Sequence, residues 1–376
     1  MLNNFADGAR YNENKIREDL AQKMVLLAGP RQVGKTTLAR HIVTPDAYLN
    51  WDIDEHRERI LRKQWPANAK IWALDEIHKY GKWRDLLKGL YDQHHGSSEI
   101  LVTGSARLDF YRRGGDSLQG RYFFHRLHPF TYVEIHGRSR TDLERLLRFG
   151  GFPEPLFKGS DTFYRRWSRG YRSRLIREDL MSLERVQDIG SLEALMLMLP
   201  ERVGSPLSAA SMARDLQLSP KTVQNWIEIL ERLYAIFTVP SFQTKSIRAV
   251  RKEKKHYHLD WAVVPDLPAR AENLVASHLL KWVHFEQDCE GRDLELCYFR
   301  DTDGREVDFI ITEKKSPLWA IEVKWRDEEV HKPLLYFKRK FPQVEAMQVL
   351  FEGTKNYLSS DGVRVMPVSE LLKNLI

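Results

Sequence analysis

Cysteine is scarce in this chain: Cys289 and Cys297 are the only two, and no histidines accompany them at zinc spacing. That excludes a disulfide-stapled scaffold, argues against a structural zinc and favours a reducing, cytoplasmic setting. Long apolar runs are also missing, and none approaches the roughly 18 residues that a membrane span needs. The opening Met-Leu-Asn-Asn-Phe-Ala-Asp-Gly has no basic stretch ahead of an apolar core, so no signal peptide is expected. There is no internal repeat and no low-complexity tract. Neither sign of charge dominates: 59 Lys and Arg stand against 52 Asp and Glu, for a net +7. That mild excess is compatible with nucleic acid, with nucleotides or with neither. What is present is globular in kind. Hydrophobic residues make up 42% of 376 positions, enough for two or three domains with their own cores.

The organising stretch is Gly29-Pro30-Arg31-Gln32-Val33-Gly34-Lys35-Thr36, a match to G-x-x-x-x-G-K-[ST]. The apolar run Met24-Val25-Leu26-Leu27-Ala28 before it reads as a buried strand, and residues 37–43 after it read as a helix. Strand, glycine loop and helix form the context in which backbone N–H groups and a helix N-terminus cradle phosphate. Gly29, Gly34, Lys35, Thr36 and Thr37 are therefore the expected nucleotide-binding set. Lys35 would reach the β- and γ-phosphates of ATP and the Thr36 hydroxyl would ligate Mg2+.

Residues 47–51 predict a second strand, and Ile71-Trp72-Ala73-Leu74-Asp75-Glu76 is an apolar run ending in paired acids, a Walker B strand in form. An apolar strand has little reason to end so unless a cation sits there. Asp75 is expected in the metal shell and Glu76 as the group that polarises water, with a plain helix cap by Asp75 as the alternative. A helix is expected over 83–94 and a strand over 99–105, ending in Thr103 and Ser105. The connection that follows is rich in glycine and arginine, and Arg121, with Arg112 and Arg113 behind it, is the candidate to stabilise transition-state charge in cis or from a neighbouring subunit.

These motifs resemble a group of bacterial and archaeal AAA+-type ATPases: the P-loop, Leu-Asp-Glu-Ile, Thr-Gly-Ser-Ala-Arg, Ser-Leu-Gln-Gly-Arg, Leu-His-Pro-Phe-Thr and Gly150-Gly151-Phe152-Pro153. The resemblance implies ATP binding and hydrolysis, and a sensor role for Thr103 or Ser105. It also covers a C-terminal domain of unassigned function. Gln119 stands where such proteins often carry alanine before the Gly-Arg pair, which leaves the arginine assignment open.

Residues 161–182 form an arginine-rich helical stretch, either a solvated face or a phosphate-facing one. Residues 191–260 read as a winged helix. Ser219 caps a second helix over 220–232, whose outward Lys221, Gln224 and Asn225 could read DNA bases. A basic segment that includes Lys245, Arg248, Arg251, Lys252, Lys254 and Lys255 follows as a wing that could touch phosphates. Winged helices also pack on other protein surfaces without touching DNA.

The last third places acids inside apolar strands: Asp308, then Glu322-x-Lys324, with Glu272 on a helix expected over about 271–285. This resembles the PD-(D/E)xK nuclease core, in which Glu272, Asp308 and Glu322 would hold divalent metal and Lys324 would help activate water. Such folds can also be kept for binding after cutting is lost.

The expected fold class is an α/β multidomain chain: an AAA+-like parallel-sheet ATPase over 1–157, a helical linker and winged helix over 158–262, and a restriction-endonuclease-like domain over 263–376. The expected function is a Mg-dependent ATPase that couples nucleotide binding or hydrolysis to binding, remodelling or cutting duplex or branched DNA. The alternative is a nucleotide-operated switch whose C-terminal domains bind a protein partner or DNA without chemistry. A small-molecule kinase is a third reading. A homo-oligomer is expected, and a membrane is not.

Overall fold

The computed structural model of the chain describes residues 10–66, 68–94, 96–104, 118–180, 188–243 and 254–376. Ser105, Arg112, Arg113 and the wing residues Lys245, Arg248, Arg251 and Lys252 lie outside the described residues. The chain packs as two compact units, residues 1–129 with 232–234, and residues 130–231 with 235–376. The linker, helical and nuclease-like parts of the sequence reading thus fall largely in the second unit.

The first unit is built on β1 (Met24–Ala28), β2 (Tyr48–Asn50), β3 (Ile71–Asp75), β4 (Glu99–Thr103) and β5 (Tyr122–Arg126), all parallel, in the order β2-β3-β4-β1-β5. A parallel sheet is covered on both faces, which is why its strands read as near-continuous apolar runs. Val25, Leu27, Ala73, Leu74, Leu101 and Val102 are fully buried. The helices are α1 (Glu13–Leu20), α2 (Lys35–Ile42), α3 (Asp54–Leu61) and α4 (Trp83–His94). The sequence reading matches α4 residue for residue. Helix α2 begins earlier than expected because Gly34, at φ 105°, turns the loop directly into Lys35. The strand expected over 47–51 is shortened by a 3-10 turn at Pro45–Ala47.

The second unit opens with α5 (Arg140–Phe149), α6 (Pro153–Lys158) and α7 (Asp161–Arg174), the last continuing as a π-helical turn to Leu180. The sequence reading missed α5, although Ser139 and Asp142 form a reciprocal capping box at its start. Then come α8 (Ile189–Met198), α9 (Ala209–Leu216) and α10 (Pro220–Arg232), followed by the antiparallel pair β6 (Ile236–Pro240) and β7 (Lys254–His258). The Ser219 hydroxyl accepts the Thr222 N–H at 3.0 Å, as a cap should.

Helix α11 (Leu267–Glu290) is longer at both ends than expected. Asp266 caps it by accepting the Ala269 N–H, and Gly291, in the left-handed conformation, ends it. The closing sheet takes β8 (Leu294–Arg300), β9 (Glu306–Glu313), β10 (Ser316–Arg326), β11 (Glu345–Glu352), β12 (Tyr357–Leu358) and β13 (Val363–Pro367) in the order β12-β13-β11-β10-β9-β8. It is mixed: β8, β9 and β10 are antiparallel neighbours, while β10, β11 and β13 are parallel. Helices α12 (Lys332–Lys340) and α13 (Val368–Lys373) complete the unit. Phe299, Val307, Ile310, Ala320, Phe337 and Val344 form its dry centre, joined by Phe242 from just after β6.

Candidate functional site

All five strands of the first unit point their C-terminal ends the same way, and the chemistry-bearing residues lie there. Open parallel sheets bind ligands at that edge. Gly29 leaves β1 with a backbone that no side chain could share: a Cβ there would lie 2.4 Å from the Leu127 carbonyl oxygen. The loop curls until the buried Lys35 ammonium donates to the carbonyls of Gly29 (2.9 Å) and Pro30 (2.7 Å). Thr36 and Thr37 are exposed on the first turn of α2, at its positive dipole end.

Strand β4 sits between β1 and β3, and that order decides the site. It brings Thr103, at the tip of β4, beside Asp75, at the tip of β3. The Thr103 hydroxyl donates to Asp75 Oδ1 at 2.5 Å, and the Thr36 hydroxyl donates to Oδ2 at 2.7 Å. Tyr48 donates to the same Oδ2 at 2.6 Å, and Asn50 approaches it at 3.4 Å. Burial, reinforced by that bond to Asp75, pushes the Tyr48 phenol up to about 12, so it stays a donor at any working pH. Asp75, at 1% exposure, is the convergence point of three strands and the loop helix. The alternative of a simple helix cap does not account for four polar side chains gathered on one carboxylate.

Glu76 has left the strand. It adopts a left-handed φ of 57° with its N–H on the Thr103 carbonyl at 3.0 Å. Its carboxylate lies 3.2 Å from Lys79, which in turn pairs with Asp52 at 2.5 Å. Burial raises the Glu76 pKa, Lys79 pulls it back and Asp75 pushes it up again. A carboxylate tuned upward and set beside a second acid is suited to take a proton from water.

Hydroxyl and carboxylate oxygens are the hard donors that Mg2+ prefers, and the exposed Thr36 hydroxyl beside Asp75 fits that ion. Sequence reasoning missed Arg10. Its guanidinium donates to the carbonyls of Val33 (2.9 Å) and His128 (2.6 Å), bracing the loop from behind. No motif marks it.

Arg121 is not brought to this site. It precedes β5, whose Tyr122 pairs with Met24 at the start of β1, so it stands at the opposite end of the sheet from the loop. There it pairs with Asp92 of α4 at 2.9 Å. Within one chain the geometry rules out the cis role for it.

The second unit gathers the other expected set. Glu272 of α11, Asp308 of β9 and Glu322 of β10 lie together, and Lys324 is 3.0 Å from Glu322. Asp308 accepts the Val323 N–H at 2.9 Å, and Glu322 is approached by the Asp308 N–H at 3.3 Å. Burial, with Asp308 adding to it, pushes Glu272 up to about 7, and the same two causes raise Glu322. Burial would lower Lys324, but Glu322 beside it raises it on balance.

Three members were not foreseen. Tyr257 donates to Glu272 at 2.6 Å, and His331 Nδ1 lies 2.9 Å from Glu322. The third corrects the wing reading: Lys255 is 1% exposed, with its ammonium 2.7 Å from Glu306 and 3.5 Å from both Glu272 and Asp308. Among the described residues no group of three or more His, Cys, Asp or Glu is arranged to hold a metal ion.

Lys221, Gln224 and Asn225 are all exposed on α10, whose opposite face buries Val223, Trp226, Ile227 and Leu230. On α7, Arg165, Arg166, Arg169 and Arg172 line a groove of about 470 Å³ with Tyr164 and Val263. Arg166 and Arg169 carry no ion pair among the described residues.

Residues 21–136 match an AAA domain family, residues 140–272 a domain of unknown function (DUF8612), and residues 269–371 another (DUF4143). An uncharacterized protein of Mycobacterium tuberculosis is 23% identical over 360 residues, covering 93% of this chain and 81% of that protein. One from Methanocaldococcus jannaschii is 21% identical over 261 residues, covering 60% of this chain and 58% of that one. Among solved structures, a Thermotoga maritima RuvB aligns with TM-score 0.30 and 17% identity over 63% of this chain and 87% of its own. The Aeropyrum pernix ORC1 protein, in complex with DNA, aligns with TM-score 0.33 and 15% identity over 72% and 94%. Among the described residues no helix is long and apolar enough to cross a membrane. The loop and the acid-tipped strand both lie within residues 21–136, the stretch that matches the AAA domain family.

Proposed function

We propose that the protein is a Mg2+-dependent ATP hydrolase that couples nucleotide binding and turnover to DNA. The observation that carries this reading is Asp75, with the Thr36 and Thr103 hydroxyls on its two oxygens. Gly29, Gly34, Lys35, Thr36 and Thr37 bind the phosphates in this reading, and Thr36 and Asp75 hold the ion. Mg2+ supplies charge neutralisation between the phosphates. Glu76 takes the proton of the attacking water, and Thr103 links that event to Asp75. Arg121 acts on the nucleotide of a neighbouring copy, which requires a homo-oligomer.

DNA enters through the second unit. Its helices α8 to α10 with the β6–β7 pair are read as a winged helix, and Lys221, Gln224 and Asn225 as base-facing groups. The α7 arginines are read as a phosphate-facing surface. The joint charge reversal Arg166→Glu and Arg169→Glu is expected to weaken binding of a duplex oligonucleotide at least tenfold at low salt. It should also flatten the log–log salt dependence by roughly one per arginine. Fluorescence anisotropy across a salt series measures both. Unchanged affinity and slope would exclude this face.

A second reading is favoured by one observation, the buried Lys255 among the nuclease-like carboxylates. It describes a nucleotide-operated switch whose second unit binds DNA or a protein partner without cutting. An ATP-dependent change in oligomer size together with no binding to any DNA would favour the switch with a protein partner.

A further inference from the structure

The nuclease-like arrangement implies a divalent cation between Glu272, Asp308 and Glu322, and the side chains around them argue against one. We propose that the Lys255 ammonium occupies the cation's place, so that this site holds no divalent metal and serves as a charge-locked joint. The inference is independent of the ATPase reading.

Strand β7 delivers the lysine. Its backbone is held in register with β6, Lys255 opposite Val239, and its side chain is enclosed to 1% exposure. The ammonium has three donors, and three carboxylates surround it: Glu306 at 2.7 Å, Glu272 and Asp308 each at 3.5 Å. The Tyr298 ring lies 5.5 Å from it and adds its face to the enclosure.

The three carboxylates have further partners. Glu272 Oε1 also accepts Tyr257, Asp308 Oδ2 accepts the Val323 N–H, and Glu322 Oε1 sits between Lys324 and His331. A dication here would stand against a fixed like charge in a poorly screened interior. It would also have to strip three carboxylates of their present donors.

Three cations offset most of the charge of four carboxylates without metal. Glu272, Glu306, Asp308 and Glu322 face Lys255 and Lys324, with Arg300 3.7 Å from Glu306 on the outer side. What the cluster does is mechanical. Lys255 and Tyr257 of β7 reach Glu272 of α11, and Lys255 reaches Asp308 and Glu306 of β9. Next to them, the Asn273 amide bonds both the N–H (2.8 Å) and the carbonyl (2.7 Å) of His258. The β6–β7 hairpin is thereby fastened to the helix and sheet that would otherwise form a cutting site.

The test is Mn2+ binding to the full chain without nucleotide, read by electron paramagnetic resonance, for wild type, Asp308→Asn and Lys255→Met. Wild type and Asp308→Asn should bind the same number of ions, since Asp308 holds none. Lys255→Met should gain one Mn2+ that the double variant with Asp308→Asn lacks. A wild-type ion lost on Asp308→Asn would overturn the proposal, and this comparison decides even where Lys255→Met does not fold. A folded Lys255→Met that gains no ion would overturn the lysine's part in keeping metal out.

Discussion

Replacing Asp75 with asparagine should lower ATP hydrolysis by about 10²–10³-fold, the scale for losing one fixed charge-stabilising group. The substitution is nearly isosteric, yet it cannot leave the site intact. Oδ1 accepts Thr103, while Oδ2 accepts Thr36 and Tyr48 and is approached by Asn50. An amide turns one of these acceptors into a donor. Either Thr103 faces an N–H₂ group, or three donors do. Leaving such a buried donor unmatched costs about 1–3 kcal/mol, so melting temperature should fall as well as rate. Steady-state hydrolysis and thermal unfolding separate the two effects. A variant with full activity would remove Asp75 from the metal site. A variant with unchanged stability would contradict the hydrogen-bond account.

The second large effect is expected at Glu76. Glu76→Gln should keep nucleotide affinity within a few-fold and lose hydrolysis by about 10²–10⁴-fold, because the general base is gone while the phosphate contacts of Lys35 and Thr36 remain. Equilibrium binding of ATP and single-turnover hydrolysis give that split. The wild-type pH profile adds an independent mark. Burial raises the Glu76 pKa, and the working form is the charged one, so activity is lost as pH falls through that raised value. The acid limb should therefore lie above the ordinary carboxylate range. Lys79 holds the value down, so Lys79→Ala should move the limb further toward neutral pH. An acid limb that does not respond to Lys79→Ala would argue against Glu76 as the titrating base.

The parts of this protein that were legible in the sequence are those fixed by local chemistry. Gly29 to Thr36 and the acids closing Ile71–Asp75 stand out because a parallel sheet must be apolar inside and polar at its tips. Helix α4 announced itself by apolar spacing alone. Arg10, Tyr48 and Asn50 could not be read. They reach the site through chain reversal and strand order, which no spacing in the sequence encodes.

Arg121 shows the complementary failure. Its glycine-rich, basic setting suited a role in cis or in trans, but the strand it introduces runs parallel to β1, which puts it at the far end of the sheet from its own chain's loop and leaves only the trans reading. Lys255 was read as a surface charge because it sits in a basic run. Only the pairing of β7 with β6 and the approach of α11 turn it inward. Glu272, Asp308, Glu322 and Lys324 lie together. Their partners decide what such a group can do, and those partners come from distant stretches.

The most direct test is the ATP hydrolysis rate of wild type beside Lys35→Ala, each with Mg2+ and with or without duplex and branched DNA. The account predicts turnover in wild type that DNA accelerates, and its loss in Lys35→Ala, where the phosphates lose their buried ammonium. Equal turnover in both proteins would contradict the site built around Gly29, Lys35, Thr36 and Asp75.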